Sequence, residues 1–176
     1  MEFPVIESER LRLRKGREED LEAMFNNVWS QPVLAEKMLW KPLKTLEEAK
    51  IRIEKTIEFQ KTHYSYYICL KDTDETIGFC GVIKTDEGIY EDIGLCITTK
   101  YQRMGLGHEA LNCLEKLVFE YLKGKRFVYT TFSSNKPSQK LCLSHGFEYL
   151  NTVKKYRDYD GLRYDLDIFY KDSPTN

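Results

Sequence analysis

Three strand-forming runs follow one another between residues 64 and 98, and they constrain the fold more than any other feature of the chain. YSYYICLK (64–71), TIGFCGVIKT (76–85) and YEDIGLCIT (90–98) are rich in aromatic and β-branched residues. Only the turns DTDE and DEGI separate them. Connections this short join antiparallel neighbours, so the centre of the fold is expected to be a three-strand antiparallel meander.

Helical periodicity brackets the meander. Before it, RLRLR (10–14) alternates like a short strand with Leu11 and Leu13 facing one way, and Leu21, Met24, Phe25 and Val28 fall at helical spacing. A loop is expected from Trp29 to Lys44, holding Pro32, Pro42 and both tryptophans. Thr45 and Glu48 form a capping box that opens a helix with Leu46, Ala49, Ile53 and Ile57 on its face. After the meander, Leu106, Ala110, Leu111, Leu114, Leu117, Val118 and Tyr121 predict a helix ending near Gly124. RFVYTTF (126–132) reads as a strand, Pro137 to Ser144 as a short helix, and Asp160-Gly161 as the tip of a closing hairpin. The order is β-α-α-β-β-β-α-β-α-β-β, an α/β domain on a mixed sheet. With 176 residues and no linker or repeat, a single domain over 1–176 is expected.

Composition narrows the function. A formal net charge of −1 leaves no broad electrostatic footprint for nucleic acid or an anionic membrane. No apolar run approaches the ~20 residues of a membrane helix, and the opening MEFPVIESERLRLR has neither an apolar signal core nor transit-peptide character. A soluble, cytoplasmic chain is expected. Its five cysteines, Cys69, Cys80, Cys96, Cys113 and Cys142, include no CxxC pair, and His63, His108 and His145 are far apart. Core thiols are therefore expected, and a built metal site is not.

YQRMGLGHEAL (101–111) is the stretch that carries chemistry. Gly105 and Gly107 open a helix whose unpaired N–H groups and partial positive charge favour an anion. They can line a backbone nest for phosphate, with Lys100 and Arg103 adding charge, or merely turn the chain. Walker A is excluded because no lysine follows at its spacing. The dinucleotide fingerprint is excluded because a third glycine is missing and a meander precedes the loop.

Read together, the segments resemble the GNAT N-acetyltransferase superfamily. Gln102-Arg103-Met104-Gly105-Leu106-Gly107 matches its Q/R-x-x-G-x-G/A motif, and Glu91-Asp92-Ile93-Gly94-Leu95 is similar to its acidic-Ile-Gly strand. Asn135-Lys136-Pro137-Ser138 and Gly146-Phe147 resemble the N-x-x-S…G-F segment of the branch that acetylates ribosomal-protein N-termini. The opening ERLRLRKGREEDLEAMF and the hairpin DGLRYDLDIFY read the same way, so the likeness covers about residues 8 to 170.

The resemblance implies the GNAT fold, a mainly antiparallel twisted sheet flanked by helices. It also implies an enzyme that moves acetyl directly from acetyl-CoA to a primary amine, of a peptide N-terminus or a small molecule. By the same resemblance Gln102, Arg103, Met104, Gly105, Leu106, Gly107 and His108 meet the pyrophosphate, Leu95, Cys96 and Ile97 pair with pantetheine, and Asn135 holds pantetheine or a water. Asp92 takes the place of the family's strand carboxylate, the general base. Many members have a tyrosine seven residues after the asparagine as general acid; here that position is Cys142. Ser138 is then the group that meets the sulfur, unless it only caps the short helix. Simple alternation puts Asp92, Gly94 and Cys96 on one side of their strand and Glu91, Ile93, Leu95 and Ile97 on the other, a parity that the bulge common in the family would change. Trp29, Trp40, Tyr156 and Asp158 are the expected acceptor walls, aromatics and acids suited to a cationic amine. A monomer or homodimer is expected, without metal, nucleic acid or membrane. The missing tyrosine keeps open a second reading, a catalytically silent acyl-CoA sensor.

Overall fold

The computed structural model describes residues 3–174. Eight strands form one sheet: β1 (Ile6–Glu7), β2 (Leu11–Arg14), β3 (Tyr64–Leu70), β4 (Thr76–Asp86), β5 (Ile89–Ile97), β6 (Arg126–Phe132), β7 (Glu148–Tyr156) and β8 (Arg163–Asp172). Their spatial order is β1-β2-β3-β4-β5-β6-β8-β7. The meander β3-β4-β5 is antiparallel as expected, and so is the closing hairpin β7-β8. The β5-β6 pair is parallel. A parallel pair needs a long crossover, and α4 (Leu106–Glu115) supplies it. The two-residue β1, paired to β2, has no counterpart in the sequence reading.

Period-two alternation sorts the strands between two cores. Tyr66 and Ile68 of β3, with Leu11 and Leu13 of β2, face α4 and pack on Leu106, Ala110, Leu111 and Leu114. Tyr67 and Cys69 face the other way, onto Met24, Val28, Trp29, Ala49 and Ile53. The second core is built by α1 (Leu21–Met24), its wide-turned continuation Phe25–Trp29, α2 (Pro32–Ala35) and α3 (Leu46–Gln60). Thr45 caps α3, its hydroxyl accepting from the Glu48 N–H at 3.2 Å, while the Glu48 carboxylate accepts from the Thr45 N–H at 3.3 Å.

Two helices depart from simple periodicity. The stretch after α1 and the stretch after α4, Lys116–Tyr121, both wind as π-helix. In the first, the helix runs on through Trp29, which is therefore a helical core residue and no part of the following loop. In the second, the smaller angular step per residue leaves Leu117 and Val118 buried but turns Tyr121 out of the stripe.

One buried ion network ties β2 to the turn between β3 and β4. The Arg14 guanidinium donates to both Asp20 oxygens at 2.8 Å and to Asp74 at 3.0 Å, and the Thr76 hydroxyl donates to Asp20 at 2.7 Å. Both Arg14 and Asp20 are buried. Removing the cation alone strands a carboxylate inside the protein. Arg14→Met is therefore expected to lower unfolding free energy by about 3–5 kcal/mol in urea titration.

Candidate active site

Strands β5 and β6 pair only from Ile89↔Arg126 to Glu91↔Val128, then part. β6 stays zipped to β8 as far as Phe132↔Leu166, while β5 stays with β4 to Ile97. The free inner edges of β5 and β6 thus open into a wedge, and Asp92 sits at its apex. One Asp92 carboxylate oxygen accepts from the Thr130 N–H at 2.6 Å and the Thr130 hydroxyl at 3.2 Å; the other accepts from the Gly94 N–H at 3.0 Å. The side chain is only 5% exposed. Burial pushes its carboxyl up to about 7, and the three hydrogen bonds, which favour the ionised form, oppose that rise only in part.

A bulge follows at once. Between Cys80↔Leu95 and Val82↔Asp92, β4 advances two residues and β5 three. Gly94 takes the extra residue with φ +110°, and a side chain there would press on Met38 and Phe79. The expected parity is consequently corrected: Asp92 does not share a side with Cys96. Tyr90 before the bulge and Leu95 and Ile97 after it face the α4 core, whereas Cys96 enters the second core. Only the backbone of Cys96 is left to meet a ligand at the open edge.

The glycine loop lies beyond the end of β5. Gly105 is the N-cap of α4 in the left-handed region, φ +80°, with no side-chain cap, and Arg103 is left-handed too at +61°. The first N–H groups of α4 therefore keep their donor capacity. The Gln102 amide closes the loop on the Ile97 carbonyl at 2.9 Å. Arg10 steadies it from outside, donating to the Met104 carbonyl at 2.8 Å and pairing with Glu109 at 2.5 Å. Lys100 is drawn to Glu75 at 3.4 Å. His108 contacts another imidazole, its Nδ1 3.0 Å from His145 Nε2, and His145 reaches Glu115 at 3.0 Å.

Across the wedge, α5 (Lys136–Ser144) begins with Asn135 as N-cap, its Oδ1 accepting from the Ser138 N–H at 3.4 Å. The cap is thus Asn135, and the Ser138 hydroxyl is left for a different partner, the Tyr129 hydroxyl at 2.8 Å. Burial raises the Tyr129 phenol above its ordinary value. Cys142 is a core residue: fully buried, donating to the Gln139 carbonyl at 3.2 Å and pushed up by burial to about 12.

The wedge and the start of α5 line one cleft of about 580 Å³, and the glycine loop, residues 102–108, lies outside its lining. Asp92, Leu95, Asn135, Ser138 and Trp40 meet there, as do Tyr129, Thr130 and Arg52, which sequence reasoning did not select. The other expected walls do not line it. Trp29 is in the core, edge-on to Tyr67 at 6.4 Å. Tyr156 and Asp158 are exposed on the hairpin. The only signal for Thr130 was a polar Thr-Thr pair inside an otherwise aromatic strand.

A helix start with unpaired N–H groups thus lies beside a wedge that has a buried carboxyl at its apex. The sequence model described as Acetyltransferase (GNAT) domain matches residues 10–148. The chain belongs to this GNAT family: it is an N-acetyltransferase, with acetyl-CoA as the donor. It is 29% identical over 167 residues, 92% of each chain, to the uncharacterized N-acetyltransferase p20 of Bacillus licheniformis. The GNAT-family acetyltransferase structure from Bacillus anthracis superposes with a TM-score of 0.82 at 22% identity, covering 96% of this chain and 98% of that one. Ribosomal-protein-S5-alanine acetyltransferase of Vibrio fischeri gives 0.74 at 20% identity, covering 98% of each. No helix among the described residues is long and apolar enough to cross a membrane.

All five cysteines are free and buried. Burial raises the thiols further, Cys69 to about 11 and Cys96 to about 12. The native protein is therefore expected to react negligibly with an aromatic disulfide reagent at pH 8, and to titrate five thiols once unfolded in guanidinium.

Proposed function

We propose that acetyl passes directly from the thioester to the α-amine of a peptide N-terminus at the apex of the wedge, with Asp92 as general base. The supporting observation is the buried Asp92 carboxyl with its pKa near 7. An α-ammonium has a pKa of about 7.7–8.0, so handing its proton to Asp92 is nearly level. A lysine side chain near ~10.4 would make the same step uphill by roughly 4–5 kcal/mol. The Vibrio fischeri protein, named for an alanine of a ribosomal protein, agrees with an α-amine acceptor.

The remaining roles follow from position. The 102–107 loop and the first turn of α4 seat the pyrophosphate on backbone N–H groups. Leu95 and Ile97 lie on the unpaired edge of β5, where extended pantetheine can add as a strand, and the Ser138 hydroxyl donates to the departing sulfur. Tyr129 stands behind Ser138 with its own hydroxyl proton, so the pair can supply that hydrogen bond although position 142 lacks a tyrosine. Asp92 takes the ammonium proton; as the neutral amine attacks, the N–C bond forms, the C–S bond breaks, and the nitrogen's second proton goes to the departing sulfur, which leaves as CoA thiol.

Each assignment has its own readout. Gly105→Glu places a carboxylate in the nest and is expected to weaken CoA binding by at least about 100-fold in calorimetry, the loss of one or two charge-assisted bonds. In the wild type, kcat/KM should rise as pH passes through about 7, because Asp92 must be ionised to accept a proton. Asp92→Asn is expected to lower kcat about 10²-fold or more and to remove that ionisation from the profile, while CoA affinity stays the same. Ser138→Ala is expected to lower kcat with CoA affinity retained. Unchanged rates and profiles in these two variants would withdraw the roles given to the side chains.

A further inference from the structure

Arg52 is the least satisfied cation in the cleft. It projects from α3, on the face of the sheet opposite α4, and lines the cleft beside Trp40 and Phe79. Its guanidinium carbon lies 5.0 Å from the ring centre of Trp29 and 5.1 Å from that of Trp40. Among the described residues no carboxylate or carbonyl accepts any of its N–H groups. Burial lowers its pKa to about 10, well above neutral pH, so the charge persists.

Arginines elsewhere in this fold are paired, except the exposed Arg103. Arg14 has Asp20 and Asp74, Arg10 has Glu109, and Arg126 has Asp172. Ring faces alone compensate a desolvated guanidinium only in part. Its five donors lie in one plane and fit the two oxygens of a carboxylate or phosphate. A second orphan donor stands alongside: the Trp40 indole N–H is buried and has no acceptor among the described residues. Lys37 and Lys155 also line the cleft, so three cations share it with Glu91 and Asp92. From the hairpin, Lys155, Tyr164 and Leu166 line the cleft, and the anticipated Tyr156 and Asp158 do not.

We propose that the acceptor carries, besides its reacting amine, an anionic oxygen group, carboxylate or phosphate, which is seated on Arg52 and the Trp40 N–H. This anion is distinct from the phosphates of CoA, because the glycine loop belongs to the α4 face and Arg52 to the α3 face. The inference specifies the acceptor of the transfer proposed above and rests on that reading for its kinetic arm alone.

The test uses the full chain and short peptides with a free N-terminal alanine, matched in three pairs. The pairs are Asp against Asn at position 2, phosphoserine against serine at position 2, and a free against an amidated C-terminus in a dipeptide. Thiol release gives kcat/KM for each. At least one anionic member is expected to be preferred about tenfold to hundredfold, mainly through KM, and the pair that shows it identifies the source of the anion. Arg52→Met is expected to bring that ratio within about twofold of one, Arg52→Lys to retain part of it and Arg52→Glu to reverse it. CoA affinity and melting temperature serve as controls for folding. Tryptophan fluorescence titration with CoA present reads the seat without turnover, since Trp29 and Trp40 flank Arg52. Anion-selective quenching lost in Arg52→Met, with no peptide acetylated, would sustain the seat while defeating the transfer reading. Equal kcat/KM within all three pairs, selectivity that survives Arg52→Met, or no quenching by any anionic peptide would overturn the proposal.

Discussion

The hydrogen bonds that Asp92 accepts from Thr130 hold together a sheet that is otherwise coming apart. Where β5 and β6 diverge, each loses a ladder partner, and the Thr130 N–H would be a buried donor with nothing to meet. The Asp92 carboxylate replaces the missing strand at that point. It also accepts from Gly94, which holds the bulge immediately downstream. One side chain thus pins the apex of the wedge, fixes the bulge that re-aims β5, and sits in a site dry enough to bring its own ionisation near neutrality. The geometry that opens the cleft and the chemistry available inside it have a common origin.

The two faces of the sheet divide the work. The α4 face carries the glycine loop, locked by Gln102 on Ile97 and by Arg10 on Met104, so its backbone N–H groups are held in a fixed arrangement. The α3 face brings Trp40 and Arg52 to the same cleft from the other side. A donor and an acceptor can therefore approach the apex from opposite faces, which is the arrangement a direct transfer requires.

Much of the architecture was legible because it follows from period and punctuation. The meander, the Thr45–Glu48 cap, the α4 stripe as far as Val118 and the hairpin tip each rest on local rules that the structure keeps. The losses occurred where non-local packing overrides them. Simple alternation failed across Gly94, since a bulge is set by the neighbouring strand and by the room beside Met38 and Phe79. Trp29 read as a loop residue because π-winding is not encoded in a 3.6-residue period. Ser138 could be taken for a cap until Asn135 was seen to fill that place. Arg52, Thr130 and Tyr129 carry no motif at all. Their importance comes from what they face across the fold, and Arg52 in particular looks in the sequence like any polar position of an amphipathic helix.

The burial of all five cysteines also bears on the product of the reaction. Each turnover of an acetyl-CoA-dependent enzyme leaves a free thiol on the spent CoA. A mixed disulfide between CoA and the protein needs an oxidant or a CoA disulfide and a reachable protein sulfur, and the sulfur of α5, Cys142, is sealed in the core with its proton held tightly. Spent CoA consequently departs from a surface that offers it no covalent partner. Packing alone keeps the protein's own sulfurs out of that chemistry.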